Sequence, residues 1–405
     1  MNQPSLSRLF STRLVAAAAL LCVAGTASAF DFNGYFRGGP GTTNKNASRA
    51  CYGLDGPGLK YRLGNECDIY GEFTFSESRK VDGVEYKAAL MTNLWNGRTD
   101  SGAASFGLAQ MYVEGRGYDV APEATFWVGK KRDRADVHIV DTFFVEMNGV
   151  GAGFHGQPVG VGKLGMAYYH DDVVVPATGT SAARTVGVNR YNIDYADIPV
   201  NAGGKLRFVG TFTQGDFTGG TSGTGLTIQH NQDNFLGLGG SNTFWVQFTQ
   251  GSTGLNMNFG NPTASSSASG LRVVESFTWQ QGAFGGQALA LWQSDKDSNG
   301  KSTVSTSLGG RMSYAFTKNF KLLTELGISS KKPDGGAQQD LTKFTIAPTL
   351  STGPGFWNRP ELRLYMTTAR WNNAANAAFG SGGLTGNGDG KTSGTSVGAQ
   401  VEVWF

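Results

Sequence analysis

The sequence predicts an all-β chain, folded as a single transmembrane antiparallel β-barrel, on three observations. The last ten residues alternate, with Val397, Ala399, Val401, Val403 and Phe405 at odd positions and Ser396, Gly398, Gln400, Glu402 and Trp404 at even ones. A strand of that composition has one apolar and one polar face. The same alternation recurs through the chain, with Arg, Glu and Lys confined to one of the two faces. Finally, 60 glycines and 12 prolines in 405 residues, only 16% charged residues and no long helical periodicity favour many short strands and turns. The terminal stretch has the roughly 9–11 residues that a tilted strand needs to cross a bilayer, and it ends on an aromatic, as an interfacial girdle does.

Residues 1–29 read as an export signal: Arg8 and Arg13 precede the apolar run 14–23, and Ala27-Ser28-Ala29 offers small residues for cleavage. Cys22 is not expected to be a lipoprotein anchor, because Leu21 stands where a small residue is needed. Removing the signal takes two arginines and lowers the formal charge from +3 to +1, which gives no support for a nucleic-acid partner. It also leaves Cys51 and Cys67 as one pair in an exported protein, predicting a disulfide. Closing that loop is worth about 3 kcal/mol in the chain-entropy model. No composition shift marks a second domain, so 30–405 is expected to be one barrel.

The strands follow in order. In Asp31–Arg37, Phe32, Gly34 and Phe36 share one face, and Tyr35 and Arg37 the other. In Asp68–Phe75, Ile69, Phe73 and Phe75 point outward, Tyr70 and Glu72 inward. The pattern continues with Leu164, Met166, Leu206, Phe208, Phe244, Val246, Leu308, Met312, Leu322 and Leu326 outward, against Lys163, Arg207, Gln247, Arg311 and Glu325 inward. A charge on the lipid face would cost about 2–4 kcal/mol near the midplane, so this segregation sets the register. Roughly sixteen to eighteen strands result, and closure satisfies every strand edge. Pro348 is the awkward residue, expected at a bulge or a strand end.

Enzyme motifs find no context. Gly160-Val-Gly-Lys-Leu-Gly165 fits a dinucleotide fingerprint, but strand alternation runs on to Tyr169 where a helix is required. Gly394-Thr-Ser-Val-Gly398 fits a nucleophile elbow, yet Ser396 opens the terminal strand. Asp295-Lys-Asp-Ser-Asn-Gly300 begins like a calcium loop, but Thr306 stands where a bidentate Glu is needed. The four histidines show no metal-ligand spacing. No cofactor and no catalysis are expected.

Two signals remain. Lys130–Asp141, after a strand at Ala124–Gly129, is the most charged stretch, and is either a solvated loop or a loop folded into the barrel to form a constriction. Tyr35, Tyr70 and Trp404 face inward by parity. So does Trp357, with Glu361, Arg363 and Tyr365, because Leu362, Leu364 and Met366 are outward. Four inward aromatics among Arg and Glu suggest a lane for a ligand with apolar faces and hydroxylated rims, such as glucose units. Net hydrogen bonds of about 0.5–1.5 kcal/mol let such a ligand exchange partners and leave. The alternation alone also fits a secreted β-sandwich lectin, which would lack an outward apolar band.

Several blocks resemble the maltoporins, trimeric sugar-specific porins of Gram-negative outer membranes. These are Lys60–Cys67, Trp127–Lys130 followed by Asp136–Asp141, Gly151-Ala-Gly153, Trp357-Asn-Arg-Pro360, Ala369-Arg-Trp371 and Val401–Trp404, in that order. The resemblance implies eighteen strands, an inward-folded third loop, a homotrimer in outer-membrane lipid, and passage of maltose or maltodextrin-type sugars. It implies an aromatic slide of Tyr35, Tyr70, Trp357 and Trp404, with Trp95 contributed by a neighbouring subunit. It implies a polar track of Arg37, Arg62, Glu72, Arg134, Asp136 and Asp141. Phe143 stands where the family places a constriction tyrosine, Ser241 where it places a slide aromatic, and Gly107-Leu108 where it places a track arginine. These departures, with shorter late loops, leave a porin for another carbohydrate or a less selective channel as the alternative.

Overall fold

The computed structural model describes residues 29–43, 50–54, 59–97, 103–175, 177, 182–215 and 220–405. The export signal, Ala29 apart, lies outside them. All strand segments join one antiparallel sheet. The first stave, β1, is Ala29–Gly38 resumed at Gly41–Thr43, and both pieces pair with the last strand. Next come β2 (Ile69–Val81), β3 (Val84–Asn96), β4 (Ser105–Arg116), β5 (Thr125–Val137) and β6 (Thr142–Val159). Then follow β7 (Gly162–Val175), β8 (Arg184–Asn201), β9 (Gly204–Gly215), β10 (Gly223–Asp233), β11 (Ser241–Gln250) and β12 (Ser269–Gln281). The circuit is completed by β13 (Phe284–Lys296), β14 (Ser302–Ala315), β15 (Phe320–Pro333), β16 (Gln339–Ser351), β17 (Glu361–Trp371) and β18 (Ser393–Trp404). Because β1 pairs with both β2 and β18, eighteen staves close into a barrel. Closure removes sheet edges, which a two-sheet lectin sandwich would keep.

The polarity is inverted relative to a water-soluble protein. Arg311, Arg363, Lys321, Lys343, Glu325, Glu361 and Glu402 are buried, whereas Leu308, Met312, Leu326, Leu362, Leu364 and Met366 are exposed. Alternation therefore sends charge inward and apolar side chains outward, and a spanning strand can bear that only with lipid outside. No helix among the described residues is long and apolar enough to cross a membrane; the crossings are strands. The chain is an outer-membrane, multi-pass β-barrel.

Pro348 corrects an expectation. It lies inside β16 opposite Leu322, and the register with β17 is the same on either side of it, from Ile346 opposite Met366 to Thr349 opposite Arg363. It marks neither a bulge nor a strand end. A proline removes one donor and keeps an extended φ, so an unbroken ladder on its other side suffices to hold the stave.

The charged stretch is a second correction, since it is mostly strand. β5 pairs with β4 only from Thr125 to Lys130; beyond that, it pairs with β6 alone, up to Val137 opposite Thr142. β6 in turn joins β7 only from Val150 onward. Residues 131–149 thus form a hairpin that leaves the wall, with a turn at 138–141. Its alternation is amphipathic. Val137, Ile139, Val140 and Phe144 pack with Trp245, Val274, Leu289 and Leu291, on the same face of β11–β13 as the buried polar residues Gln247, Arg272 and Gln287. Ile139 N donates to Gln287 Oε1 at 3.1 Å, and Glu146 N to Asn256 O at 2.7 Å. The apolar underside makes the ladder worth keeping off the wall.

A third segment fixes the frame. The Cys51–Cys67 disulfide closes the stretch 59–67, whose Leu63 packs with Leu323, Ala347 and Tyr365 on the charge-bearing face of β15–β17. Leu63 N donates to Glu325 Oε1 at 2.8 Å, and Tyr61 OH is 2.8 Å from Ser307 Oγ.

Candidate functional site

Ladder geometry carries the aromatic side chains onto adjoining staves. Trp95 on β3 lies directly opposite Tyr70 on β2. The Tyr70 ring is 6.4 Å from that of Tyr35 on β1, and Tyr35 lies opposite Trp404 on β18. Trp404 is 6.3 Å from Trp357, in the turn before β17. Five rings thus run without a gap in the succession of staves. Trp95 sits one residue from the long-loop end of β3, and Trp404 is the last residue of β18, at the end bearing the two-residue turn Asp82-Gly83. Trp95 and Trp357 are the open ends, 48% and 44% exposed, while the three middle rings are half-buried. Within one chain, Trp95 lies opposite Tyr70 and its Nε1 donates to Asp68 at 3.2 Å.

Charged groups line the same path. Tyr70 OH donates to Glu72 Oε1 at 2.6 Å, and the hairpin's Arg132 reaches the same oxygen at 2.7 Å. Arg134 is 3.7 Å from the other Glu72 oxygen and stands over the Phe143 ring at 4.3 Å. Asp136 lies opposite Phe143 in the hairpin ladder and is exposed. Arg37 bonds Glu66, Asp68 at 3.0 Å and Asp141 at 3.1 Å. Arg62 bonds Tyr35 OH, Glu66 at 2.8 Å and Glu402 at 3.1 Å. Both guanidiniums are buried, with 5% of the side chain exposed, and committed to carboxylates. Glu72 is buried as they are, and Arg132, Arg134, Asp136 and Lys60 are the more open polar groups beside the rings.

The hairpin turn is electrostatically anchored. Asp141, in the left-handed region at φ 56°, accepts from Lys60 at 3.2 Å and from Arg37. Burial works to raise its carboxyl, but Arg62, Lys60 and Arg37 outweigh it and hold it at about 2. His138 sits edge-on to Trp357 and Trp404 at 5.3 and 5.7 Å. Burial lowers its imidazole to about 4, against the pull of Glu402 3.5 Å away, so it is neutral at neutral pH.

Sequence reasoning passed over His138, Arg132 and Arg359. The histidines were weighed only as metal ligands or acid–base groups, and Arg132 was not separated from its charged neighbours. Arg359, inside Trp357-Asn-Arg-Pro360, packs over the Trp404 ring at 4.3 Å. Of the positions that depart from the resembling family, Ser241 hydrogen-bonds Thr278, and Leu108 is 41% exposed with its carbonyl accepting from Lys130 at 2.7 Å.

The fold is similar to that of two solved structures. OccAB1 of Acinetobacter baumannii superposes with a TM-score of 0.52 at 11% identity, over 93% of this chain and 97% of that one. OpdQ of Pseudomonas aeruginosa does so with a TM-score of 0.50 at 8% identity, over 94% and 99%. At such identities the likeness concerns fold alone. The sequence itself matches the LamB porin model over residues 30–405, essentially the whole described barrel, and the chain belongs to the LamB porin family.

Proposed function

We propose that this porin conducts sugars of the maltose or maltodextrin type by passive facilitated diffusion, with no chemistry performed. The observation that carries this reading is the unbroken succession of Trp95, Tyr70, Tyr35, Trp404 and Trp357, edged by Glu72, Arg132, Arg134 and Asp136. Ring faces dehydrate against the apolar faces of pyranose units, while hydroxyls exchange partners among the charged groups. Each such bond is worth about 0.5–1.5 kcal/mol net, so a site near 1 mM, about −4 kcal/mol, captures and still releases. In this reading the hairpin 131–149 is the inward-folded third loop and sets the constriction, and three chains assemble as a homotrimer.

A second reading, a less selective pore, draws on Phe143. That residue offers no hydroxyl, and its ring is covered by Arg134. Single-channel conductance in planar bilayers, titrated with maltotriose, glucose and sucrose, separates the two. Graded block, strongest for maltotriose, is expected; sugar-independent conductance would leave a general pore.

A further inference from the structure

Each half-buried ring of the lane has a guanidinium near one face. Arg37 lies 5.2 Å from the Tyr70 centroid, Arg62 5.7 Å from Tyr35 and Arg359 4.3 Å from Trp404. The third has the widest set of partners. Its side chain is 1% exposed. Nε donates to Glu402 Oε2 at 3.0 Å, and Nη1 to Phe356 O at 2.9 Å and Asn358 O at 3.1 Å. Nη2 lies 2.9 Å from Glu402 Oε2 and 3.3 Å from His138 Nε2, and Nη1 lies 3.1 Å from Glu361 Oε1. These partners come from separate parts of the chain: the end of β18, the turn that carries Trp357, the start of β17 and the tip of the hairpin.

We propose that Arg359 is a positioning residue that sets the short-turn end of the lane, an inference that rests on the sugar-lane reading. One buried side chain orients the Trp404 ring by stacking, the Trp357 turn by two carbonyl bonds, and His138 by its Nε2. One face of Trp404 is thereby taken, and the other is the surface a pyranose meets. Only arginine suits the role, because a planar fork stacks and donates in several directions at once, whereas an ammonium is a point charge on a flexible stem. Without the stack, Trp404 keeps its charge environment but loses its fixed pose, whereas His138 is still held by Arg62, which lies 3.2 Å from its Nδ1 and donates to its carbonyl at 3.3 Å.

The test compares maltotriose block of the full-length channel in planar bilayers for the wild type, Arg359→Lys and Arg311→Lys. Arg311 is equally buried and pairs with Glu325 at 2.7 Å, so it controls for loss of a buried guanidinium. Arg359→Lys is expected to weaken block roughly tenfold, chiefly through faster release, with sugar-free conductance and heat resistance of the assembled channel close to wild type. Arg311→Lys is expected to leave block unchanged. Unaltered block in Arg359→Lys overturns the proposal, as does an equal fall in block and heat resistance in both variants, which would mark a structural role alone. Should Arg359→Lys fail to assemble, Arg359→Gln, planar and uncharged, is compared alone and combined with Trp404→Phe. Additive effects there refute positioning through the ring, and coupled effects support it. A wild-type channel that no sugar blocks would instead sink the sugar-lane reading and this inference with it.

Discussion

Two inner surfaces of the barrel, both touched by one hairpin, behave oppositely. On β11–β13 the inner side chains Trp245, Val274, Leu289 and Leu291 are apolar and sealed under Ile139, Val140 and Phe144. On β18–β1–β2 they are Trp404, Tyr35, Tyr70 and Glu72, half-buried or hydrogen-bonded, and approached by Arg132 and Arg134 across the hairpin's other face. Alternation within 131–149 makes the difference. Its apolar side is spent on attachment, and its charged side carries Arg132 and Arg134 toward Glu72. Burial without water gives a fixed strut, whereas half-burial leaves polar groups able to exchange partners, which is what the proposed sugar lane requires.

The comparison is most severely strained by charging the sealed side. Ile139→Asp is expected to cost several kcal/mol, because a carboxylate would be buried without a partner, and to abolish a defined conductance level. Urea unfolding of the detergent-solubilised channel and single-channel records check it; normal conductance would mean that the hairpin is not held by this contact.

A smaller effect is expected on the open side. Trp404→Ala should weaken maltotriose block about tenfold, as losing an aromatic contact of roughly 1–1.5 kcal/mol does, while Phe405→Ala changes it less than about twofold. Trp404 meets His138 and Trp357, whereas Phe405 is 51% exposed and packs on the outward Phe32. Equal effects would contradict the assignment of faces.

The mildest challenge is pH. Both ionisable groups of the turn are displaced downward, His138 to about 4 and Asp141 to about 2. A depressed imidazole binds fewer protons in the folded than in the unfolded chain. Its contribution to stability is therefore complete above the unfolded value near 6.5 and declines as pH falls toward 4. The Asp141 contribution is complete above about 4 and is lost as pH falls toward 2. Sugar block is accordingly expected to be flat from about pH 6 to 8, with increasing current noise only below about pH 5, read from bilayer records across that range. A titration centred near 6.5 would show the turn to be solvated.

Much of the wall was legible because alternation of period two records a face directly. Trp404 was placed inward from ten residues of alternation, and Leu362, Leu364 and Met366 outward from three. The hairpin was less legible, since Lys130–Asp141 looks like a loop when read for charge. Its signal lay elsewhere, in 288–292, where Leu289 and Leu291 are apolar on the face that should be polar. An apolar patch on a charged inner face implies a cover. Arg37 and Arg62 were expected as polar-track residues, and their burial beside Tyr70 and Tyr35 could not be read from spacing, because Glu66 and Glu402 reach them from elsewhere in the chain.

By itself, the sequence determined which face of each stave meets lipid, that the staves close, that Cys51 pairs with Cys67, and which aromatics point inward. These are local properties, set by parity, by the cost of a charge in hydrocarbon and by the count of cysteines. Only the tertiary structure decided that the hairpin leaves the wall at Lys130, which inner surface it covers, and that Arg359 and His138 gather at Trp404. Those outcomes depend on contacts between residues far apart in the chain, 221 positions for Arg359 and His138 and more for His138 and Trp404. Periodicity is blind to such distances, and apolar burial together with ion pairing selects among the pairings it permits.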